Sequence, residues 1–557
     1  MNRLKIYIVG SLFLSLIGTS SCDLDRSPLT SYGSDSFLSN EQNAMLALTG
    51  LYHANLTYGR EEYGPSDWWS YQGILMMDIC SDNGWDRRGL TSNYGIIAAG
   101  TLSASKTGAT STYWSLSYSK IARCNDFLQR IEGLNGIVAD ATINRFKAEA
   151  RFLRAAQYFY LASFFHDVPL IEKTLSMDEA NAVTKSTQAV VADWVIKEMG
   201  EAAASLPLWS AVHSEGMDGR ASKQAALAFK ARTELMMKKW SDAATTYKQI
   251  IDLNDNTLAS SYPALFLPST ADSYSENIYV QRYDDDKCGS GLLKQFNPTM
   301  DGAVGGWCLH NVTASLFEAY PFSDGTAFSY KSSMYDPTDL SKNRDQRLAQ
   351  TLYWNGCKFG QGVYNCDPDK NAANGKDGLH PSNQSTKTGY MMRKYINENY
   401  MYDGGDNNKY PAKIPVIRYA EVLLGYVEAK MEAGSLTAND LYYLNLVRRR
   451  SNMPDITAVD AATLRPLLRN ERRVELALEG IRLWDLLRWG TANEALTGDV
   501  WGASFPNSAA TTRRNTGNKK VDPEGVNRWY VGTRAFSGGP SVWPISQSEQ
   551  DINPNLK

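Results

Sequence analysis

Tryptophan stands beside amide, carboxylate and guanidinium groups in two neighbouring segments of the sequence. The segment "DICSDNGWDRRG" (78–89) places Trp85 between Asn83 and Arg87. Aromatic side chains have few torsions and offer a broad apolar face, which suits contact with the C–H side of a sugar ring. Planar polar groups beside such a ring can hydrogen-bond sugar hydroxyls, more strongly where one partner is charged. We therefore predict carbohydrate-type contacts at Trp85, Asn83 and Arg87; the alternative for Trp85 is a tryptophan that anchors its own loop.

Further candidates for the same chemistry lie outside this loop. Just upstream, "GPSDWWSYQG" (64–73) offers Asp67 beside two adjacent tryptophans, of which we expect one to face inward. Trp307 stands in the glycine-rich "GAVGGWCLHN" (302–311), and Tyr395 in "YMMRKYINENYMY" (390–402). Asn43, near the start of the first predicted helix, completes the set of predicted binding residues. A core or loop-packing role is the alternative for each residue taken alone.

Residue patterns of metal and hydrolytic sites are missing from the sequence. The five histidines form no HExxH motif, and there is neither a GxSxG motif nor a P-loop. The acidic run Asp284–Asp286 lacks the oxygen spacing of an EF-hand loop, so we predict a solvated turn there. No cofactor and no metal is predicted. With 60 acidic residues, a pair of glycosidase carboxylates stays open as the enzyme alternative.

Bulk composition narrows the function classes. The chain of 557 residues carries 57 basic and 60 acidic side chains, so no charge excess favours nucleic acid. It holds 14 Trp and 31 Tyr but 17 Phe. Tyr and Trp rings carry an O–H or N–H group and therefore suit surfaces that are partly exposed to water. The excess of Tyr and Trp over Phe favours a binding surface but does not show where it lies.

The start of the chain predicts export. Basic Arg3 and Lys5 precede an apolar run over residues 6–17, which is shorter than the roughly 20 residues of a membrane-spanning helix. Small residues then lead directly into Cys22, which indicates a bacterial lipoprotein signal over residues 1–21 with Cys22 as the lipid anchor. An ordinary secretory signal with a chance cysteine is the alternative.

Six further cysteines follow Cys22. Export permits disulfides, and two local pairings are compatible with the spacing, Cys357 with Cys366 and Cys288 with Cys308. Sequence alone does not give the connectivity. No CxxC motif occurs, which disfavours zinc ribbons and thioredoxin-like chemistry.

Long amphipathic segments must position these side chains. Apolar and small residues at helical spacing predict helices at 40–56, 112–132, 141–165, 188–205, 415–432, 437–451 and 464–490, and a helical hairpin at 221–253. The second half of the hairpin resembles the second helix of a tetratricopeptide unit. We therefore predict a mostly α fold with a tetratricopeptide-like helical-hairpin scaffold over about 40–56, 112–255 and 412–490. Gly-, Asn-, Asp- and Tyr-rich segments at about 60–111, 262–411 and 491–557 predict a loop-rich lobe, where binding sites commonly lie.

The segment "LLRNERRVELALEGIRLWDLLRWG" (467–490) looks at first like a basic patch. Its apolar residues fall at helical spacing, and its arginines alternate with acidic residues. We predict an amphipathic helix of the scaffold, interrupted at Gly480, whose charges largely pair among themselves.

Together with "IPVIRYAEVLLGYVEAKMEAG" (414–434), "LNLVRRRSNMP" (444–454) and the final "VWPISQSEQDINPNLK" (542–557), this segment resembles the SusD/RagB family. Upstream, "WSLSYSKIARCNDFLQRIE" (114–132) and "AEARFLRAAQYFYLASFFHDVPL" (148–170) are similar to the N-terminal helices of that family. The resemblance extends over nearly the whole of residues 22–557, which it identifies as one SusD-like domain.

The resemblance implies a role. Family members are lipid-anchored outer-membrane proteins at the cell exterior that are not enzymes. They capture nutrient ligands, usually oligosaccharides, for a SusC-like TonB-dependent transporter. A glycan-binding protein is therefore expected, with oligopeptide capture as the alternative within the family. A helical-repeat adaptor is a third possibility, and the Trp- and Tyr-rich insertions argue against it.

Overall fold

Helices dominate the architecture, as the sequence predicts. The computed structural model describes residues 38–53, 67–369, 377–380, 384–536 and 542–557. Up to residue 252 the helices are α1 (Glu41–Tyr52), α2 (Tyr71–Ile79), α3 (Gly95–Ala98), α4 (Thr110–Arg130), α5 (Asp140–Phe164), α6 (Met177–Ala180), α7 (Gln188–Ser205), α8 (Trp209–Ser214), α9 (Lys223–Met236) and α10 (Trp240–Asp252). Beyond it are α11 (Leu292–Phe296), α12 (Ala314–Ala319), α13 (Arg347–Thr351), α14 (Tyr419–Glu432), α15 (Leu441–Arg450), α16 (Ala461–Glu475), α17 (Arg482–Arg488), α18 (Ala492–Ala495), α19 (Ala509–Gly517) and α20 (Gln547–Ile552).

The strands are short and pair antiparallel. They are β1 (Gly84–Asp86), β2 (Asn277–Arg282), β3 (His310–Val312), β4 (Leu352–Tyr353), β5 (Lys358–Phe359), β6 (Gly362–Val363), β7 (Tyr390–Met392), β8 (Lys413–Arg418), β9 (Thr497–Ser504) and β10 (Arg528–Ala535). One four-stranded sheet has the order β1-β3-β7-β4, and the remaining strands pair as β2 with β8, β5 with β6 and β9 with β10. The four-stranded sheet draws together the chain segments around residues 85, 311, 353 and 391.

Helical hairpins form the scaffold. Helices α4, α5, α7, α9, α10 and α14 pack each against the next, and α14 also packs against α15 and α16. Stacking of neighbouring hairpins buries a continuous apolar layer, as in solenoid proteins. The predicted hairpin at 221–253 is confirmed as α9 and α10, with a turn at 237–239. The predicted mostly α, tetratricopeptide-like fold class is confirmed.

Close helix packing at Gly425 of α14 gives a test of this scaffold. A Cβ atom at Gly425 would lie 2.6 Å from Cζ of Tyr247 on α10, whose ring is buried. We expect Gly425→Ala to destabilise the protein by about 1–3 kcal/mol, because overpacking outweighs the roughly 1 kcal/mol gained in helix propensity. Urea unfolding measures the effect. Gly200→Ala on α7 is the control, since its Cβ would meet no atom closer than 3.9 Å; equal stabilities of the two variants would contradict the packing argument.

One helix boundary and one whole helix differ from the prediction. Residues 415–418 belong to strand β8, and α14 begins only at Tyr419. Helix α2 lies in a segment predicted to be loop-rich, and all nine of its residues are buried. A helix that is buried on every side has no polar face, so its sequence carries no amphipathic pattern.

The predicted interruption at Gly480 is confirmed. Helix α16 ends at Glu475, and Leu478 and Gly480 both have positive φ, 62° and 73°. The expected charge pairing is only partly right. Arg472 does pair with Asp485 inside the segment, but Arg482 and Arg473 pair with Asp82 at the far end of the chain.

The cysteine pairings permitted by spacing are not formed. Cys308 and Cys366 are buried free thiols, and Cys357 is a half-buried free thiol. Burial raises the pKa of the Cys308 thiol to about 12, so this sulfur stays protonated.

Both adjacent tryptophans of the "DWW" segment face inward, which corrects the expectation that one would. Trp68 stacks on Tyr113 at 4.2 Å and on Tyr160 at 4.6 Å between ring centroids. Trp69 meets Tyr279 edge-on at 4.9 Å.

Within the described residues, no helix is long and apolar enough to span a bilayer.

Candidate functional site

An aromatic cleft opens on the loop-rich side of the molecule. Its volume is about 310 Å³. Three segments form its walls, and the lining residues are Tyr335, Pro337, Thr338, Leu340, Trp354, Asn355, Asp367, Asp369, Ala503, Ser504, Phe505, Pro506, Asn507 and Ser508. We refer to it as the Trp354 cleft. A larger opening of about 380 Å³ lies beside the end of α1 and strand β2.

Trp354 follows strand β4 directly, so the sheet fixes where its indole projects. The ring is half-buried and lies edge-on to Phe317, with centroids 6.4 Å apart. Phe317 in turn stacks on Tyr390 of β7 at 4.8 Å. One side of the indole thus packs against another aromatic ring, and the rest of it is accessible in the cleft. This position suits stacking against a ligand.

Tyr335 also lines the cleft and is held there by an aromatic cluster. Its ring meets Phe328 at 5.6 Å and Tyr330 at 5.2 Å, both edge-on. The guanidinium of Arg344 lies 3.9 Å from the centre of the Phe328 ring, and its Nη2 donates to the Tyr320 carbonyl. Cation–π contact of this kind in a buried site holds the loop that carries Tyr335.

Polar groups complete the rim of the cleft. The Asp369 carboxylate accepts hydrogen bonds from the backbone N–H groups of Ala509 and Ala510, at 2.9 and 2.7 Å. A hydrogen bond from Ser508 and these backbone N–H groups lower the pKa of Asp369, so it is charged at neutral pH. Asn355 and Asn507 are exposed, with planar amides at the cleft. Rings and amides of this composition can contact a sugar chain, or a peptide, by stacking and hydrogen bonds.

The residues predicted from the "DNGWDRR" loop mostly hold the fold together. The Trp85 indole lies in β1 and is 6% exposed, beneath the Arg534 guanidinium at 5.3 Å. Asn83 is fully buried; its side-chain amide donates to Asp78, and its side-chain oxygen Oδ1 accepts from Arg473. Neither side chain faces solvent in this structure, and a ligand contact at Trp85 or Asn83 stays a prediction.

Three other predicted residues have structural contacts of their own. Asp67 is buried in an ion pair with Lys120. The Tyr395 side chain is 1% exposed, and its hydroxyl donates to the Leu478 carbonyl. Asn43 is half-buried on α1 and donates to Ser39. The structure does not bring these three side chains together, and a ligand contact at any of them stays a prediction.

Arg87 and Trp307 are predicted residues that lie on neighbouring chain segments. The backbone N–H of Arg87 donates to the Leu309 carbonyl, which extends the β1–β3 ladder toward Trp307. Both side chains are half-buried. The ammonium group of Lys294 lies 5.6 Å from the Trp307 ring centre.

Cys22 and the signal segment 1–21 lie outside the described residues.

Sequence reasoning did not single out Tyr335, Trp354 or Phe505. The available signal was "LYWNG" (352–356), a tryptophan at the end of a short strand and before an Asn-Gly turn. Asn-Gly is a strong turn signal, and an aromatic residue beside such a turn is held at an exposed loop tip.

The acidic triad Asp284–Asp286 is exposed, and its first carboxylate accepts from the backbone of Asp286 and Lys287, as in a turn.

The protein combines a scaffold of antiparallel helical hairpins with an aromatic cleft that is built by loops. This combination places it in the class of binding proteins with a tetratricopeptide-like scaffold. The chain belongs to the SusD family. The family model described as "SusD family" matches residues 273–557, and a second, described as "Starch-binding associating with outer membrane", matches residues 53–235. The resemblance predicted from the sequence motifs is thereby confirmed.

Relatives cover nearly the whole chain. A SusD-like carbohydrate-binding protein from Bacteroides fragilis is 46% identical, with a TM-score of 0.87 over 94% of this chain and 100% of that structure. A second SusD-like protein from the same species has a TM-score of 0.76 at 23% identity, over 96% of this chain and 99% of its own. SusD-like protein P25 from Formosa agariphila is 26% identical over 84% of this chain and 87% of its length.

Proposed function

We propose that this chain is a glycan-binding protein of the cell surface that captures oligosaccharides and delivers them to a SusC-like TonB-dependent transporter. In this proposal it is not an enzyme. It is held at the exterior of the outer membrane by lipid on Cys22. Family membership and the carbohydrate-binding relative at 46% identity support this function. The observation that carries it is the Trp354 cleft, which combines aromatic faces with amides and carboxylates.

The cleft supports a simple mode of recognition. A sugar ring would lie against Trp354 or Tyr335, with hydroxyls hydrogen-bonded by Asn355, Asn507 and Asp367. Aromatic contacts contribute about 0.5–1.5 kcal/mol each beyond area burial, so one sugar binds weakly. A sugar chain that contacts several of these groups binds more tightly. The translational and rotational entropy lost on binding is counted once for the whole sugar chain, whereas each further contact adds favourable free energy. Trp307 and Arg87 remain a proposed second contact surface for such a chain.

Trp354→Ala is the variant that tests the site. We expect it to raise the Kd for the bound polysaccharide about tenfold or more, since it removes one stacking face and its share of buried area. Affinity electrophoresis through gels that contain neutral or acidic plant, algal and host polysaccharides would first identify the ligand. Trp240→Ala is the matched control, a half-buried tryptophan at the start of scaffold helix α10.

Two outcomes would count against the proposal. Unchanged binding by Trp354→Ala would move the site to the Trp307 surface. No retention by any polysaccharide, together with retention of a mixed peptide pool, would favour oligopeptide capture for the same kind of transporter. An exported glycosidase would instead shorten the polysaccharide during incubation, which chromatography of the products detects.

A further inference from the structure

A smaller cleft borders strand β9 next to the Trp354 cleft. Its volume is about 190 Å³. Residues 495–501, which lead into and form the first part of β9, line it together with Ser315 and Glu318 of the α12 segment. We refer to it as the Trp501 cleft. Because sites for whole small molecules usually exceed about 300 Å³, a cleft of this size suits a single unit of a longer ligand.

Two elements connect the clefts. Residues 503–505 at the end of β9 line the Trp354 cleft directly after the residues that line the Trp501 cleft. A strand rises about 3.3 Å per residue, so Val500 and Ser504, one in each cleft, are at most about 13 Å apart along the strand. On α12, Phe317 lies edge-on to Trp354 at 6.4 Å, and the next residue, Glu318, lines the Trp501 cleft.

Arg528 fixes the position of one cleft relative to the other. Its guanidinium pairs with Glu318 at 2.7 Å and lies 5.4 Å from the Trp501 ring centre. It also lies 5.7 Å from the ring of Tyr330, which meets Tyr335 of the Trp354 cleft at 5.2 Å. A continuous series of contacts between buried and half-buried side chains therefore joins the two clefts, so both are held by one rigid part of the structure.

The charges that line the Trp501 cleft are largely compensated by one another. Each of the three carboxylates among its lining residues has a cationic partner: Asp82 with Arg473 at 3.0 Å, Glu318 with Arg528 at 2.7 Å, and Asp499 with Lys520 at 2.7 Å. Two guanidinium groups, of Arg528 and Arg534, also line the cleft. Since carboxylates outnumber guanidinium groups on these walls, an acidic ligand group is disfavoured there.

Hydrogen-bonding groups of both kinds are left over. Within the part of the chain that the structure describes, Arg534 donates only to backbone carbonyls, and its Nε is buried without an acceptor. The exposed Ser315 hydroxyl accepts from Arg473 at 2.9 Å, and none of its hydrogen bonds to described residues uses its own O–H. A paired carboxylate retains lone pairs for further donors. A sugar hydroxyl both donates and accepts, and therefore fits such a mixed set of groups.

We propose that the Trp501 cleft is a further sugar-binding site, which takes a neutral, hydroxyl-rich unit of the same glycan chain that stacks in the Trp354 cleft. This inference rests on the proposed function. The Trp501 ring is only 9% exposed, so recognition in this cleft depends on hydrogen bonds to charged groups rather than on stacking. A chain that is long enough to occupy both clefts gains these bonds, and a shorter one does not.

Neutral oligosaccharides of increasing length test the proposal. Isothermal titration calorimetry would use malto-, laminari-, xylo- and manno-oligosaccharides, each as a series from two to eight sugar units. In the series that the protein binds, we expect the Kd to fall at least tenfold at the length that reaches from the Trp354 cleft to the Trp501 cleft.

Variants separate this cleft from the neighbouring one. Thr497→Tyr places a large side chain in the Trp501 cleft from an exposed strand position, where tyrosine is well tolerated. We expect it to raise the Kd for the longest oligosaccharide at least tenfold and to leave that for the shortest bound one within about twofold. Ser315→Ala removes one hydroxyl and is expected to raise the Kd for the longest about threefold or more. Trp354→Ala weakens binding at every length.

Thr245→Tyr is the matched control, the same substitution at an exposed position of scaffold helix α10. We expect it to bind every length like the wild type. Circular dichroism melts verify that each variant is folded.

The outcomes that overturn the proposal are distinct from failure of the proposed function. Wild-type affinity of Thr497→Tyr and Ser315→Ala for the longest chain would remove the Trp501 cleft and leave glycan capture at Trp354 standing. An equal loss at all lengths would also overturn it, because the cleft would then have no separate unit to bind. Binding of acidic polysaccharides alone would contradict the neutral unit. Retention of peptides without any glycan would overturn this inference and glycan capture together.

Discussion

Replacement of Glu475 by glutamine is expected to lower the free energy of unfolding by about 3–5 kcal/mol. Glu475 ends helix α16 and is fully buried. Its carboxylate accepts from Arg347 at 2.9 Å and from Arg418 at 2.8 Å, and it also pairs with Arg450. Glutamine preserves the volume but removes the charge, which leaves three buried guanidinium groups short of one counter-ion.

The same carboxylate makes stability depend on pH. Despite burial, the surrounding arginines hold the pKa of Glu475 well below its usual range. A carboxyl group whose pKa is lower in the folded state stabilises that state above its unfolded pKa, near 4.3. This contribution therefore decreases as the pH falls below about 4, and it is absent in Glu475→Gln.

Urea unfolding followed by tryptophan fluorescence measures both effects. Glu201→Gln is the control, because Glu201 lies on the surface of α7 and pairs there with an exposed arginine; we expect a change within about 0.5 kcal/mol. A Glu475→Gln protein as stable as the control would show that the arginines are satisfied without this carboxylate.

Trp85→Ala is expected to destabilise the fold by about 3–5 kcal/mol, the usual cost of removing a buried tryptophan. The ring is packed under Arg534, whose guanidinium donates to the Ser81 carbonyl at 2.7 Å and also to the Gly84 carbonyl. A Cβ at Gly532 would lie 2.8 Å from the indole, so β10 also closes over the ring. Loss of the indole leaves a cavity between β1 and β10.

The measurement compares thermal midpoints and ligand affinity in Trp85→Ala and Trp307→Ala. The half-exposed Trp307 is expected to contribute less to stability. If Trp85→Ala melts like the wild type and selectively loses glycan binding, the indole is a ligand contact and the packing interpretation is wrong. Any loss of affinity in this variant has to be measured well below its own melting temperature.

Helices of the scaffold could be predicted closely from the sequence. The expected helix at 141–165 is α5 (Asp140–Phe164), and that at 188–205 is α7 with the same limits. These helices bury one face against neighbours and expose the other, so the pattern of apolar residues records their packing. Strand β8 was missed because its apolar residues continue without a break into α14.

The binding site could be predicted less well from the sequence than the helical scaffold. Whether a loop tryptophan is exposed depends on what covers it, and Arg534 reaches Trp85 from 449 positions farther along the chain. Trp354 and Trp85 both stand in Gly- and Asn-containing loops, yet one lies in a cleft and the other beneath a guanidinium. Local composition identifies the residue types of a binding surface, but long-range packing decides which of them face the ligand.

The charged centre around Glu475 also has a kinetic consequence. It joins Glu276, Arg347, Arg418 and Arg450, which together with Glu475 span 200 residues of sequence, and β2 pairs with β8 across 131 to 141 residues. Contacts between distant segments form slowly, because the chain must first close long loops. Hairpins such as α9–α10 need only local contacts and can form early. The folding reaction should therefore be limited by the arrival of the arginines at Glu475, and a partly folded chain would hold its helical scaffold before its binding cleft exists.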